Sequence, residues 1–330
     1  MLKIGNRGRT TALATAAMVY GLMSNTAIAG KDVGKGNDHR TFHSKGTIDY
    51  GKVGDSYTAD LSMYLAGNQF MVMEDLIDAF QKRNPDIKTV FVETIPPGQI
   101  LKGQILKQGE IAGQKIAMNP DLFASVNVNH LKKLRAKDMM NDYMIYTHNQ
   151  LALEVLEGNP KHIKGPKDLA RDDVVVTLPN PLTEGIFKFY GSVMLKKLGI
   201  YEKVTAGKKC KSCWAIKGKT WFTSRHHRET PLRLLAGKTD VGVVWTTEIT
   251  YQREIGRKIE GVAIPAPYNM GSKVAYAIGS LKAGRNPYNA GRFLAFLGTD
   301  EAQNIYAKHG FIKASQKELR LKPLPSPAKS

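Results

Sequence analysis

The sequence predicts an α/β protein with two lobes. Short apolar runs typical of strands alternate with amphipathic stretches typical of helices over residues 57–136, and the same alternation begins again at residue 174. This order favours sheets whose parallel strands are joined by right-handed helical crossovers. Because the pattern starts twice, and because 330 residues are enough for two such units, we expect one sheet in each lobe.

The individual elements follow from the spacing of apolar residues and from the Gly and Pro residues between them. In the first half, strands are predicted at 57–65, 87–92 and 122–126, and helices at 71–83, 99–110 and 128–136. In the second half, strands are predicted at 174–178 and 240–245, and helices at 184–198 and 229–236. A strand at 274–279 leads back, and 286–309 forms two helices separated at Gly298. We therefore predict lobe 1 from 57–150 plus 276–311, and lobe 2 from 151–275.

The N-terminus has the three parts of a secretory signal. Lys3, Arg7 and Arg9 supply positive charge, residues 10–23 are mostly small and apolar, and Ala27-Ile28-Ala29 matches a cleavage site. We expect residues 1–29 to be a signal peptide that is removed on export. Residues 30–56 are predicted as a disordered linker, and 312–330, with lysines and three prolines, as a disordered basic tail.

The charge balance points to an anionic partner. The chain has 48 Lys and Arg residues against 29 Asp and Glu, which gives a net charge of +19 and an isoelectric point near 9.7. Such an excess favours nucleic acid, a membrane surface or a small anion. Because an exported protein does not meet nucleic acid in its compartment, we expect no nucleic-acid partner.

The motifs of common enzyme classes are absent from the sequence. It contains no G-x-S-x-G, H-E-x-x-H or Walker A segment, and we therefore expect neither an enzyme nor a bound cofactor. Cys210 and Cys213 form a single C-x-x-C, which in an exported protein predicts a local disulfide. Trp214 replaces the His that covalent haem attachment needs, and there is no second C-x-x-C for a four-cysteine zinc site.

Polar loops follow the predicted strands in both halves. In an open α/β sheet, ligands bind beyond the carboxyl ends of the strands, where helix N-termini present free N–H groups. The loops before the predicted helices therefore supply the candidate ligand-binding residues. These are Asn68, Gln69, Gln99, Asn127, Thr183, Glu184, His226, His227, Arg228, Trp245 and Glu248.

Five segments resemble a known family. They are PDLFAS at 120–125, LPNP at 178–181, GKTDVGVVW at 237–245, FLAFL at 293–297 and AQNIYAKHGF at 302–311. In this order they resemble the type-2 periplasmic solute-binding proteins of ABC importers, nearest to the molybdate- and tungstate-binding branch, over about 57–311. The resemblance implies a periplasmic protein of two α/β lobes joined by two crossing strands, with a ligand held between them. It also implies an ABC permease as partner, and we expect a monomer.

The candidate site departs from the molybdate-binding pattern. The first two loops read Gly67-Asn68-Gln69 and Pro97-Gly98-Gln99, without the Ser or Thr hydroxyls that the oxyanion binders offer. We expect a larger oxyanion or an organic anion, with hydrogen bonds from Asn68, Gln99, Thr183 and Arg228, a further one from His226 or His227, and Trp245 as an apolar wall. The alternative is a metal-binding or accessory protein of an exported oxidoreductase, in which Glu184, Glu248 and one of the two histidines bind a metal ion.

Overall fold

The structure is a computed structural model that describes residues 38–107, 110–111, 114–115, 119–224 and 227–325. The predicted signal peptide, residues 30–37 of the predicted linker and His226 lie outside the described residues. None of the described helices is both long and apolar enough to cross a bilayer.

Most strands belong to one of two sheets. In chain order the strands are β1 (His39–His43), β2 (Ile48–Tyr50), β3 (Leu61–Ala66), β4 (Thr89–Ile95), β5 (Glu110–Ile111), β6 (Gln114–Lys115), β7 (Leu122–Ser125), β8 (Asp142–His148), β9 (Leu151–Leu156), β10 (Val176–Leu178), β11 (Cys213–Ile216), β12 (Thr220–Phe222), β13 (Val241–Trp245), β14 (Ile259–Ala263), β15 (Ala275–Ser280), β16 (Ile312–Lys313) and β17 (Lys322–Pro323). The first sheet has the order β16-β8-β15-β7-β3-β4-β1-β2, with β17 also paired to β8. The second has the order β11-β12-β10-β13-β9-β14.

The helices cover both sheets. The α-helices are α1 (Met73–Arg83), α2 (Pro97–Gln99), α3 (Val128–Arg135), α4 (Ser192–Lys197), α5 (Tyr201–Thr205), α6 (Thr230–Leu235), α7 (Thr246–Glu254), α8 (Pro287–Leu297) and α9 (Asp300–Lys308). Short 3-10 helices span Val53–Tyr57, Gly67–Met71, Pro166–Ala170 and His227–Glu229, and π-helices span Ile100–Ile105 and Ile186–Gly191. In α1, Met73, Leu76, Ile77 and Phe80 recur at helical spacing and are buried, which explains why this segment folds as an amphipathic helix.

The arrangement is the predicted two-lobed α/β fold, with differences in its sheets. Each sheet is parallel only in its interior, where β3 lies between β4 and β7 and β10 lies between β12 and β13. The flanking strands β15, β8 and β9 are antiparallel to their neighbours, so the predicted parallel pairing holds for the inner strands and not for the outer ones. The chain passes between the sheets twice, once from β8 to β9 and once from β14 to β15.

The described part of the predicted linker is ordered. β1 pairs with the edge of β4, and the buried Arg40 donates to the carbonyl of Phe70 at 2.6 Å. Thr41 donates to Asp55 at 2.7 Å. The composition of 30–56 suggested solvation, but in the described part polar side chains such as Arg40 and Thr41 have partners and β1 adds to an existing sheet edge. The prediction of disorder is therefore wrong over the described residues 38–56.

The described part of the predicted basic tail is also ordered. β16 and β17 both pair with β8, and Thr147 of β8 donates to the carbonyl of Ile312 at 3.0 Å. Leu319 and Leu324 are buried between the lysines. The prediction of disorder fails here because two spaced leucines and a free strand edge outweigh a basic, proline-containing composition.

Candidate functional site

A cleft of about 650 Å³ lies between the two lobes. The first lobe lines it with segments near residues 66–68, 96–102 and 126–133, and the second lobe with segments near 182–189, 227–228 and 245. Asn68, Glu184, Arg228 and Trp245 are each at most 4% exposed and form its floor. Exposed side chains of both lobes form its rim.

Eight of the eleven predicted ligand-binding residues line the cleft. They are Asn68, Gln99, Asn127, Thr183, Glu184, His227, Arg228 and Trp245. Gln69 does not: its fully buried amide oxygen accepts a hydrogen bond from the hydroxyl of Tyr306 at 2.9 Å, which holds it in the interior of the first lobe. Glu248 is also buried away from the cleft surface, behind His227. The prediction that these two side chains face the ligand is therefore wrong, because each is engaged by the interior of its own lobe.

His227 lies between two buried carboxylates. Its Nδ1 is 2.5 Å from Oε2 of Glu184, and its Nε2 is 2.9 Å from Oε1 of Glu248. Burial opposes charge on this imidazole, but the two carboxylates outweigh burial and raise the pKa of His227 to about 10. His227 is consequently a cation whose two ring N–H groups are already used. Its charge is shared between Glu184 and Glu248, and it has no N–H left for the hydrogen bond to a ligand that the sequence predicted.

Glu184 is held by four donors. Besides the imidazole, it accepts hydrogen bonds from the backbone N–H of Asn180 at 2.9 Å, the backbone N–H of His227 at 2.7 Å and the hydroxyl of Thr223 at 2.5 Å. These bonds fix the loop that follows β12 to the loop that follows β10. Glu184, His227 and Glu248, the predicted alternative metal ligands, are thus bonded to one another. Within the described ranges, no group of three or more His, Cys, Asp or Glu side chains is placed to hold a metal ion.

Arg228 reaches from the second lobe into the first. Its guanidinium donates to the backbone carbonyls of Gly67 and Thr94, and it lies 3.7 Å from a carboxylate oxygen of Asp38. It also lies over the ring of Phe70, with 4.1 Å from its central carbon to the ring centroid. The sequence predicted Arg228 as a donor to the ligand. In the structure its main contacts join the two lobes.

Asn68 and Asn127 have structural partners as well. The amide nitrogen of Asn68 donates to the hydroxyl of Tyr276 at 2.6 Å. The side-chain oxygen of Asn127 accepts from the backbone N–H of Asn129 at 2.9 Å and caps α3. By contrast, the side chains of Gln99 and Thr183 form no hydrogen bond with the described part of the chain. These two remain available to a ligand.

Sequence reasoning missed four basic residues of the cleft. Lys102, Lys133 and Lys188 line it, together with His130, whose Nδ1 is 2.8 Å from the hydroxyl of Ser125. Lys133 belongs to a lysine-rich stretch that reads as a solvated face, and Lys102 and Lys188 lie inside segments predicted as regular helices. The sequence could have indicated these lysines only by their helical spacing from the loop residues that line the cleft. The π-helical turns in the segments of Lys102 and Lys188 change that spacing.

The second lobe also carries the predicted disulfide. Cys210 and Cys213 are joined at the start of the edge strand β11, with their Cα atoms 6.1 Å apart. Neither cysteine lines the cleft. The disulfide closes a lysine-bearing surface turn, as expected for a small structural bridge.

Two α/β lobes with a cleft at their junction define the class of two-lobed solute-binding proteins. The family described as bacterial extracellular solute-binding protein matches residues 61–312, which is well over half of the chain. This chain belongs to that family of extracellular binding proteins, whose members bind solutes for ABC importers. A search of the curated proteins finds no match.

Solved structures share the fold at low sequence identity. The periplasmic molybdate-binding protein of Azotobacter vinelandii has a TM-score of 0.61 at 18% identity, over 77% of this chain and 100% of that chain. L-phospholactate-bound PEB3, a Campylobacter jejuni protein, has a TM-score of 0.51 at 16% identity, over 77% and 100%. Iron-bound HitA from Pseudomonas aeruginosa has a TM-score of 0.53 at 17% identity, over 78% and 91%. The likeness shows a common fold, and the ligands named for these neighbours differ.

Proposed function

We propose that the protein captures a small anion in the interlobe cleft and delivers it to an ABC permease. One observation carries this proposal: three lysines, Lys102, Lys133 and Lys188, line the cleft, and none forms an ion pair with another described residue. Glu184 is the only acidic side chain among the described lining residues, and it is ion-paired with His227. The cleft therefore has an uncompensated positive potential that favours an anion.

Closure of the lobes provides the mechanism of capture. A ligand that contacts Gln99 and Lys102 on one lobe and Thr183 and Lys188 on the other makes all its bonds only when the lobes are together. Binding then shifts the population toward the closed form, which is the form that a permease can distinguish from the empty one. We propose that the chain acts as a monomer, without nucleic acid and without catalytic turnover.

Anion binding is tested by calorimetric titration and thermal shift with small anions. Lys133→Gln should weaken binding about tenfold, by loss of one charge-assisted contact at a partly solvated site. Lys132→Gln is the matched control, because Lys132 is the preceding residue of α3, is also exposed and does not line the cleft. Equal effects of the two substitutions would mean that general charge, and not the cleft, attracts the anion.

Export to the periplasm is the second part of the proposal. The positive N-terminus, the apolar stretch and Ala27-Ile28-Ala29 support cleavage after Ala29, so the mature chain would begin at Gly30. Mass spectrometry of protein recovered from the periplasm should give the mass of 30–330. A mass that includes residues 1–29 would contradict it.

A further inference from the structure

The three cleft lysines approach the same volume from three different elements. Lys102 lies in the π-helix Ile100–Ile105, Lys133 in α3, and Lys188 in the π-helix Ile186–Gly191. Two of them belong to the first lobe and one to the second, and all three side chains are exposed to the cleft. A ligand in contact with all three therefore touches both lobes.

His130 lies among these lysines. Its partial burial, and then the charges of Lys133, Lys102 and Lys188, lower the pKa of His130 to about 4. All three ammonium groups are thus near enough to repel a proton from one imidazole. At neutral pH His130 is uncharged, and the lysines are the cations of this part of the cleft.

The remaining wall of this part of the cleft is apolar. Pro97, Leu182, Ile186 and Phe189 line it beside the lysines. The Nζ atom of Lys188 lies 5.8 Å from the centroid of the Phe189 ring, and the His130 ring meets Phe189 edge-on at 6.5 Å. A flat or apolar group can pack on Phe189 while its acidic groups reach the lysines.

We infer that the ligand is an organic anion with at least two acidic groups, carboxylate or phosphate, attached to an apolar body that packs against Phe189. This inference rests on the proposed function and narrows its ligand class. The lysines bind the acidic groups from both lobes, and the apolar wall selects the body between them.

Size and wall chemistry disfavour a bare inorganic oxyanion. The cleft volume of about 650 Å³ lies in the range of sites for organic ligands of drug size, roughly 300–1,000 Å³. A tetrahedral oxyanion presents oxygen on every side, and each oxygen that faces proline or phenylalanine loses its hydration without a replacement. The buried Arg228 and Asn68, which would serve a small anion at the floor, already hold protein partners.

The test compares matched probes on the full exported chain by calorimetry. Phthalate and benzene-1,3-disulfonate are organic dianions with two acidic groups, benzenesulfonate is the control with one acidic group, and sulfate and molybdate are the inorganic probes. We expect at least one organic dianion to bind at least tenfold more tightly than benzenesulfonate and than both inorganic anions. Lys102→Gln, Lys133→Gln and Lys188→Gln should each weaken its binding about tenfold, whereas Lys132→Gln should leave it unchanged. Phe189→Ala should weaken the binding of the organic dianion about tenfold or more.

A second readout is the NMR titration of His130 with the probe bound, which is measured separately from the affinity. Because benzene-1,3-disulfonate keeps its charge in acid, its binding should raise the pH at which the His130 ring signals titrate in NMR spectra, as the lysine charges are screened. If sulfate or molybdate binds more tightly than every organic dianion, this inference is wrong, but the proposed function, capture of a small anion, is still supported. If no anion binds, the proposed function fails together with it.

Discussion

The guanidinium of Arg228 rests 4.1 Å from the ring centroid of Phe70, so a side chain of the second lobe is seated on an aromatic ring of the first. Other contacts repeat this relationship. The hydroxyl of Tyr190 donates to the carbonyl of Val126 at 2.8 Å, and the Tyr251 ring meets Phe70 edge-on at 5.0 Å. Direct contacts between side chains and backbone of the two lobes thus join the lobes on one side of the cleft.

Arg228→Ala should loosen the lobes. It removes a cation–π contact, two hydrogen bonds to backbone carbonyls and an ion pair, and we expect a loss of about 2–4 kcal/mol in the free energy of unfolding. Small-angle X-ray scattering of the variant should give a larger radius of gyration. Arg233→Ala is the control, since Arg233 packs over Trp221 within the second lobe at 4.3 Å. A radius unchanged in Arg228→Ala would show that this contact does not hold the lobes together.

Glu184→Gln separates an anion site from a metal site. The substitution leaves His227 with one carboxylate, so we expect a loss of about 2–3 kcal/mol in stability, seen as a lower Tm. Anion affinity of the folded variant should be retained or improved, because a negative charge at the cleft floor has been removed. The metal alternative would instead be supported if calorimetric titration showed that the wild-type protein binds a metal ion and that the Glu184→Gln variant does not.

Stability should fall as pH rises from about 6.5 to about 10; below 6.5 the lowered pKa of His130 offsets the effect of Glu154. The pKa of His227 is raised from 6.5 to about 10, so its contribution is complete below 6.5 and disappears as pH approaches 10. Burial, and then the charge of Glu248, raise the pKa of Glu154 from 4.5 to about 8. The folded state therefore keeps a proton on Glu154 that the unfolded state loses above 4.5. Each group contributes at most about 1.4 kcal/mol per pH unit within its window.

Chemical denaturation at several pH values checks this dependence. Glu154→Gln should make the decline between pH 6.5 and 8 shallower, because only His227 then contributes to it, and should leave the decline toward pH 10 unchanged. A wild-type stability that increases over pH 6.5–10 would contradict the protonated state of His227.

Removal of the disulfide should lower stability without touching ligand binding. A bridge across so short a segment contributes about 2 kcal/mol by the chain-entropy relation. We expect the Cys210→Ser, Cys213→Ser double variant to have a lower Tm and an unchanged Kd for the anion, because neither cysteine lines the cleft. Two free thiols in freshly exported wild-type protein, or a large loss of affinity in the double variant, would contradict this.

The sequence was informative where local pattern and burial agree. The strands β7 and β13, with the helices α1, α8 and α9, lie within two residues of the predicted elements, because their apolar periodicity is also their core-facing pattern. The loop residues at the cleft were predictable for the same reason, since strand ends are positioned by the sheets. The ion pair of Glu184 was not predictable, because His227 reaches it from another loop, distant in the chain, and Glu248 in turn holds His227.

The sequence could not show which lysines line the cleft, and the reason is geometric. Lys132 and Lys133 are adjacent and alike in composition, yet only Lys133 lines the cleft. Which of the two does so depends on how α3 is rotated against β7, and this is set by the burial of Leu131 and Leu134. In the segments of Lys102 and Lys188, the π-helical turns contain more residues than an α-helical reading assumes.

The pairing of β16 and β17 with β8 has a consequence for how the chain acquires its fold. The hydroxyl of Thr147 donates to the carbonyl of Ile312, which lies 165 residues later in the chain. The edge of the first sheet is therefore completed only after residues far apart in the sequence meet, and contacts of such long range form slowly. Until that contact forms, β8 keeps an unpaired strand edge, to which a strand of another chain can add.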